Sequence, residues 1–131
     1  MKGIATVGAS LLVLLIAAGC TLTAVGGGEE LHILAGERDG RMYFEPAVIT
    51  VSASAKVTFV IKNEGTVDHE FESGERGEAG IEEIIIPPGR TRRVAWTAPS
   101  EPALYTLYCD LPGHRAAGMW LILRVVPAAG P

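Results

Sequence analysis

Short segments rich in β-branched and aromatic residues recur along this chain, and turn-forming residues separate them. The segments lie near residues 31–35, 41–44, 48–52, 56–62, 67–71, 82–86, 90–97, 103–109 and 119–126. The breaks include Asp39-Gly40, Pro87-Pro88-Gly89 and Pro112-Gly113, whose residues favour tight turns. The sequence has no segment with a convincing helical pattern. Strands of this length and spacing predict a single all-β domain, built as an antiparallel sandwich or barrel.

The N-terminal segment predicts export. Lys2 precedes an uncharged apolar run from Ile4 to Ala18. A positive start, an apolar centre and small residues at the end are typical of a signal peptide. The end of the run, Ala17-Ala18-Gly19-Cys20, resembles a bacterial lipobox, in which cleavage before the cysteine leaves Cys20 carrying diacylglycerol. We therefore expect residues 1–19 to be the signal and Cys20 to be the lipidation site.

Two alternatives stay open for this segment. Apolar residues resume at Leu22 and would extend the segment toward a bilayer span of about 20 residues, so an uncleaved anchor is one alternative. Plain secretion is the other. All three interpretations place the domain outside the cytoplasm, and a lipid anchor or an uncleaved segment would hold it at the periplasmic or extracellular face of the membrane. In each case residues 20–28 form a spacer, residues 29–127 the domain and residues 128–131 a short tail.

The charge of the chain limits its partners. The formal net charge is −4, which argues against nucleic acid because such binding requires a basic face. Acidic residues concentrate in one stretch, which consists of Asp68, Glu70, Glu72, Glu75, Glu78, Glu82 and Glu83. This acidic stretch is either a solvated surface that keeps the protein soluble or a docking face that steers a basic partner.

The alternation of side chains along the strands places several candidate metal ligands on inward faces. Residues two apart in a strand share a face. Val67, His69 and Phe71 therefore share one face, which is predicted to be the core face, while Asp68, Glu70 and Glu72 take the other. Tyr105, Leu107 and Cys109 share a face, as do Met119, Leu121, Leu123 and Val125, with Arg124 opposite. We expect His69, Cys109 and Met119 to point inward at strand ends.

The fourth candidate, His114, lies in the turn that joins the last two predicted strands. A thiolate, two imidazoles and a weak thioether suit an ion that alternates between Cu(I) and Cu(II). Zinc could use the cysteine and the histidines but gains little from a methionine. The Cys-x4-His-x4-Met spacing lets one loop return three donors to a point, and Pro112-Gly113 provides the turn. The residues thus predict one copper ion bound by His69, Cys109, His114 and Met119.

The loop from Cys109 to Met119 resembles the copper loop of the cupredoxins, the blue copper proteins. Its spacing is similar to that of rusticyanin and auracyanin and longer than that of plastocyanin between Cys and His. Upstream, the resembling residues are Phe44-Glu45-Pro46, Ile49-Thr50-Val51, Val57-Thr58-Phe59, Asn63 and His69. The resemblance implies a Greek-key β-sandwich of about eight strands, a mononuclear type 1 copper site and one-electron transfer.

The resemblance also implies where partners bind. In cupredoxins the second loop histidine usually reaches solvent inside an apolar patch, which Leu111, Pro112, Ala116 and Ala117 would form here. The expected partners are redox proteins such as cytochromes, oxidases or reductases, and the chain is expected to be a monomer. Many relatives carry Asn after the first histidine, whereas this chain has Glu70 there and Asp110 after Cys109. Two carboxylates close together would repel each other or share a proton.

Each candidate ligand could have an ordinary role when considered alone. Cys109 could be an inert core thiol or form a disulfide with Cys20, and Met119 could fill the core, as Met42 is expected to do. His32 has no motif around it and is interpreted as structural. No hydrolytic Ser-His-Asp arrangement is suggested, and no His-x-His pair of an oxidase is present, so an enzyme is not expected. The alternative function is a copper-binding module for delivery or sequestration.

Overall fold

The structure is a computed structural model that describes residues 28–74 and 78–130. The predicted signal, Cys20, nearly all of the spacer and Glu75 of the acidic stretch therefore lie outside the described residues. Among the residues that are described, no helix has the length and apolar character that crossing a membrane requires.

The described part of the chain contains nine strands and confirms the all-β prediction. They are β1 Glu29–Arg38, β2 Arg41–Glu45, β3 Val48–Ser52, β4 Lys56–Asn63, β5 His69–Phe71, β6 Ile84–Ile86, β7 Thr91–Thr97, β8 Ala103–Tyr108 and β9 Trp120–Val126. Each predicted segment corresponds to one strand, and nine strands agree with the count of about eight that the resemblance implies. Cys109 and Met119 lie immediately outside β8 and β9, so they belong to the loop and not to the strands.

The strands form a four-stranded sheet in the order β2-β1-β4-β7, a three-stranded sheet β3-β9-β8 and a small sheet β5-β6. Most neighbours are antiparallel, but β1 pairs with β4 and β3 pairs with β9 in parallel. The prediction of an antiparallel sandwich is therefore wrong at these two pairs. The chain crosses between sheets after β2 and again after β3, so strands that are distant in sequence become neighbours with the same direction.

The core lies between the inner faces of the two larger sheets. β4 contributes Val57, Phe59 and Ile61, and β9 contributes Leu121 and Leu123, all of which are buried. Alternate residues of each strand point inward, because the side-chain repeat of a strand is two. Each large apolar side chain buried in this way stabilises the fold by about 1.5–3 kcal/mol. The sandwich thus provides a rigid support for the loops at its end.

The short strand β5 departs from the predicted alternation. Val67 was expected to face the core, but it precedes β5 and is 41% exposed. Glu70 was expected to face solvent, but only 6% of its surface is exposed. β5 pairs with β6 along one edge, and Glu72 forms a bridge to Tyr108 along the other. All three residues of β5 are buried, so this strand has no face that is open to solvent.

Candidate metal centre

The loop between β8 and β9 closes on itself through its backbone. The Cys109 N–H donates to the carbonyl of Met119 at 3.1 Å, and the Met119 N–H donates to the carbonyl of His114 at 3.1 Å. The tight turn inside the loop is made by Gly113, whose φ of 83° lies in the left-handed region that favours glycine. These bonds hold three of the four predicted ligands close to one another.

A second contact fixes the loop to the sandwich. The Met42 N–H donates to the carbonyl of Ala117 at 3.1 Å, and a Cβ at Gly118 would lie 3.3 Å from the carbonyl of Met42. Gly118 also has a φ of 106°, so the backbone conformation favours glycine there, and the approach to Met42 leaves little room for a side chain. Met42 itself is partly buried against the core, as predicted.

His69, at the start of β5, brings the fourth predicted ligand to the loop. Its Nδ1 atom lies 3.3 Å from Nδ1 of His114, which in turn lies 3.3 Å from Sγ of Cys109. The ligand atoms of these three residues all lie within 4.8 Å of one another. Met119 is fully buried, and its backbone bonds to both Cys109 and His114. His32 lies on β1 with an exposed side chain and is not part of the cluster.

The environment of His69 favours a neutral ring with its Nδ1 lone pair available. Burial lowers the pKa of His69, and the neighbouring carboxylate of Glu37 opposes that shift. Nε2 of His69 lies 3.1 Å from Oε2 of Glu37, so the neutral ring donates its N–H to this oxygen. Sequence reasoning missed Glu37, because it lies 32 residues from His69 and belongs to no local motif.

The thiol of Cys109 is free and buried. Burial raises its pKa, whereas hydrogen bonds from the backbone of Glu70 and Leu111 lower it. The Glu70 N–H donates to Sγ at 3.3 Å and thereby connects β5 to the loop. A thiol is deprotonated when it coordinates a metal ion. The backbone donors are therefore placed to stabilise the thiolate that a metal would require.

Glu70 is the most perturbed carboxyl group near the cluster. Burial and the nearby carboxylates of Glu83 and Glu72 raise its pKa to about 7, and Asp110 contributes less than these. The predicted interaction between Glu70 and Asp110 is thus a minor part of a larger acidic group. Elsewhere in the acidic stretch, Asp68, Glu78, Glu82 and Glu83 are exposed and Glu72 is partly buried.

The donor set fits copper better than other common ions. Two imidazoles and one thiolate suit both Cu(I) and Cu(II), and a buried thioether beside them is the soft, weak ligand of electron-transfer copper sites. Structural zinc sites instead complete a tetrahedron with thiolates or imidazoles. Cys109 is the only thiolate that the described residues supply, so the cluster matches the copper pattern.

The fold and the cluster together define a small β-sandwich protein with metal-binding donors at one end. The sequence profile of the cupredoxin-like domain family matches residues 11–122. The chain belongs to this family, which confirms the resemblance inferred from the loop. Plastocyanin A′/A″ of Nicotiana tabacum is 35% identical over 100 residues, which cover 68% of this chain and 93% of that protein.

Two further similarities come from bacterial proteins. The copper-resistant cuproprotein CopI of Pseudomonas aeruginosa is 27% identical over 133 residues, covering 67% of this chain and 73% of CopI. The crystal structure of dithionite-reduced auracyanin from Roseiflexus castenholzii superposes with a TM-score of 0.62 and 23% identity. That superposition covers 78% of this chain and 100% of auracyanin, so the two share the whole fold.

The fold also occurs inside larger proteins. The copper-containing nitrite reductase of Thermus scotoductus superposes with a TM-score of 0.64 and 17% identity, but only 32% of its chain is covered. The present chain therefore corresponds to complete small cupredoxins and to one portion of that enzyme. The auracyanin and the plastocyanin, of which the chain covers 100% and 93%, are small cupredoxins and not enzymes, in line with the prediction.

Proposed function

We propose that this protein binds one copper ion through His69, Cys109, His114 and Met119 and carries single electrons between redox partners outside the cytoplasm. The observation that supports the proposal most strongly is the convergence of Sγ of Cys109 and Nδ1 of both histidines within 4.8 Å. Copper would supply the one-electron change between Cu(I) and Cu(II).

The residues around the cluster favour electron transfer over other copper chemistry. His69, Cys109 and Met119 are fully buried, so water and substrates do not reach these three ligands. The backbone hydrogen bonds of the loop hold the donors in place. A rigid site rearranges little when the charge of its ion changes, which lowers the barrier to electron exchange.

His114 is proposed as the exit for the electron. It is the only one of the four ligands whose side chain is partly exposed. Around it lie Pro112 and Ala116, which are exposed, and Leu111 and Ala117, which are partly buried. We infer that this apolar patch, Leu111, Pro112, Ala116 and Ala117, is the docking surface for a redox protein, because close contact there shortens the distance to the ring of His114.

The predicted tether belongs to the same proposal. Cys20 would carry a diacylglycerol anchor after cleavage behind Gly19 and hold the domain at the outer face of the membrane. Fatty-acid labelling of the wild type and its loss in Cys20→Ala would support the anchor. A mature protein that keeps residues 1–19, or a labelled Cys20→Ala variant, would instead favour the uncleaved segment.

Copper delivery or sequestration is the second candidate function. The similarity to CopI, described as a copper-resistant cuproprotein, is the observation that favours it. The buried ligands argue against it, because an ion handed to an acceptor must be reached by the acceptor's own ligands. The two functions therefore differ in how fast the ion, as opposed to the electron, leaves the protein.

Electron self-exchange tests the proposal without a known partner. Copper-loaded protein should hold one copper per chain and show intense visible thiolate-to-copper absorption that a reductant bleaches. Mixtures of reduced and oxidised protein should exchange electrons rapidly, as measured by NMR line broadening. Ala116→Glu should slow this exchange about tenfold or more, because like charges would meet at the contact. The matched control is Ala95→Glu on β7, outside the patch, which should slow it far less.

The same samples separate the two functions. Rapid self-exchange combined with slow transfer of copper to a chelator supports the carrier. Slow self-exchange in the wild type, combined with rapid transfer of copper to the chelator, would favour copper handling.

A further inference from the structure

Glu37 connects the end of β1 to the loop that carries His69. Its Oε1 atom accepts hydrogen bonds from the N–H of Thr66 at 2.5 Å and from the hydroxyl of Thr66 at 2.6 Å. Its Oε2 atom accepts the N–H of the His69 ring at 3.1 Å. One carboxylate therefore holds both the loop and the ligand ring.

The surrounding residues are shaped to let this carboxylate approach. A Cβ at Gly65 would overlap Oε2 of Glu37, so glycine leaves the space that the carboxylate occupies. The side chain of Glu37 is 25% exposed, and that of His69 is fully buried. The carboxylate of Glu37 thus extends from the surface to Nε2 of the buried His69 ring. This atom lies on the opposite side of the ring from Nδ1, which would bind the metal.

We propose that Glu37 is a positioning residue for the metal site, which fixes the Nε2–H form of His69 and strengthens its Nδ1 atom as a ligand for the oxidised ion. This inference rests on the copper site proposed above. A metal-binding histidine is commonly oriented by a partner on its second nitrogen, and a carboxylate partner makes the ring a stronger donor. The negative charge of Glu37 also favours Cu(II) over Cu(I), because the oxidised ion carries more positive charge.

The direction of the effect follows from these two contributions. Replacing the carboxylate of Glu37 with an amide removes its negative charge. It also leaves one oxygen acceptor for three donors, which are the N–H and hydroxyl of Thr66 and the ring N–H of His69. Cu(II) should then bind more weakly while Cu(I) is affected less, so the reduction potential should rise. Loss of such a partner typically costs about 10- to 100-fold in metal affinity. A tenfold loss confined to Cu(II) corresponds to a rise of about 59 mV for one electron.

The test uses the full chain, with and without copper. In the copper-free protein, 15N NMR of the His69 ring should show the Nε2–H form in the wild type and a mixture of forms in Glu37→Gln. In the copper-loaded protein, Glu37→Gln should bind Cu(II) at least tenfold more weakly relative to Cu(I). Gly65→Ala should have a similar effect on the ring, because the added methyl group displaces the carboxylate without removing its charge.

Glu64→Gln is the matched control. Glu64 is an exposed carboxylate in the same loop region, and it accepts a hydrogen bond from Tyr43 at 2.6 Å instead of from a ligand. It should leave the His69 ring and the ratio of Cu(II) to Cu(I) affinity unchanged. An equal shift in Glu64→Gln and Glu37→Gln would overturn the proposal, since charge alone would then explain the result.

An unchanged ring form in both Glu37→Gln and Gly65→Ala would also overturn it. The copper-free measurement keeps this result separate from the function proposed above. A wild type that binds no copper would refute the copper site, whereas the ring measurement would still decide whether Glu37 orients His69.

Discussion

The four donors are held in place in two different ways. Cys109, His114 and Met119 lie in one loop, where backbone hydrogen bonds between loop residues set their positions. His69 is the only proposed ligand in its segment, residues 63–71, where side-chain hydrogen bonds add to the backbone pairing of β5 with β6. Asn63 donates to the carbonyls of Val67 at 2.7 Å and Ile86 at 2.8 Å, and Glu37 reaches the ring from β1.

Because of this difference, substitutions in the two regions should have different effects on stability and on the metal site. The loop brings its donors together by local geometry, so changes to one donor should affect chemistry more than folding. The His69 segment depends on buried polar contacts with distant residues, so changes there should affect both stability and the site. The two regions meet where the Glu70 N–H donates to Sγ of Cys109.

The largest effect is expected from the thiolate in the loop. Cys109→Ala should abolish the visible absorption of copper-loaded protein, because the thiolate is the source of the charge-transfer band. The fold should persist, since the alanine keeps an apolar side chain at a buried position. Absorption spectra and copper content measure the effect, and Cys20→Ala is the matched control, as it replaces the other cysteine of the chain. A coloured Cys109→Ala variant would show that the ligand assignment is wrong.

The next effect tests the side-chain support of the His69 segment. Asn63 is fully buried, and its Oδ1 atom also accepts the N–H of Gly65 at 2.8 Å. Asn63→Ala would leave the buried carbonyl of Ile86 and two partly buried groups without this partner, so the free energy of unfolding should fall by about 2–4 kcal/mol. Urea denaturation of the copper-free protein measures the change. Glu64→Gln, which weakens one exposed hydrogen bond by removing its charge, should stay within about 0.5 kcal/mol of the wild type.

The two regions also differ in how far the sequence predicts them. The ligands of the loop lie at a fixed spacing around a Pro-Gly turn, so their convergence follows from residues near one another in sequence. The role of Glu37 depends on β1 lying parallel to β4, where Ala35 pairs with Asn63, and nothing in the local sequence indicates that pairing. The alternation rule also failed at Glu70, because it assumes one solvent-facing side, whereas residues on both faces of β5 are buried.

A third, smaller effect is expected at Glu70, where the two regions meet. Its pKa is raised to about 7 in the folded protein, from the ordinary value of 4.5, so the folded state keeps a proton that the unfolded chain has lost. The free energy of unfolding should therefore fall as pH rises from about 4.5 to 7, by about 1–3 kcal/mol from this group. Glu70→Gln should remove that fall.

Urea denaturation of the copper-free protein at pH 5 and pH 8 measures this change. His69, whose pKa is lowered, acts in the opposite direction over part of this range, but its contribution cancels when Glu70→Gln is compared with the wild type. Glu82→Gln controls for the loss of one exposed carboxylate. Equal pH dependence in Glu70→Gln and the wild type would mean that folding does not raise the pKa of Glu70. Glu70 would then be less buried than the structure indicates.

The smallest effect is expected from the thioether of the loop. Met119→Leu conserves volume at a fully buried position, so it should cost less than about 1.5 kcal/mol in stability. Its backbone bonds to Cys109 and His114 do not involve the side chain and should persist. Copper should stay bound and coloured, because the thioether is the weak member of the set, while the reduction potential should change. Voltammetry and copper content distinguish the outcomes: loss of copper would make Met119 a principal ligand, and an unchanged potential would leave it a core residue that only closes the loop.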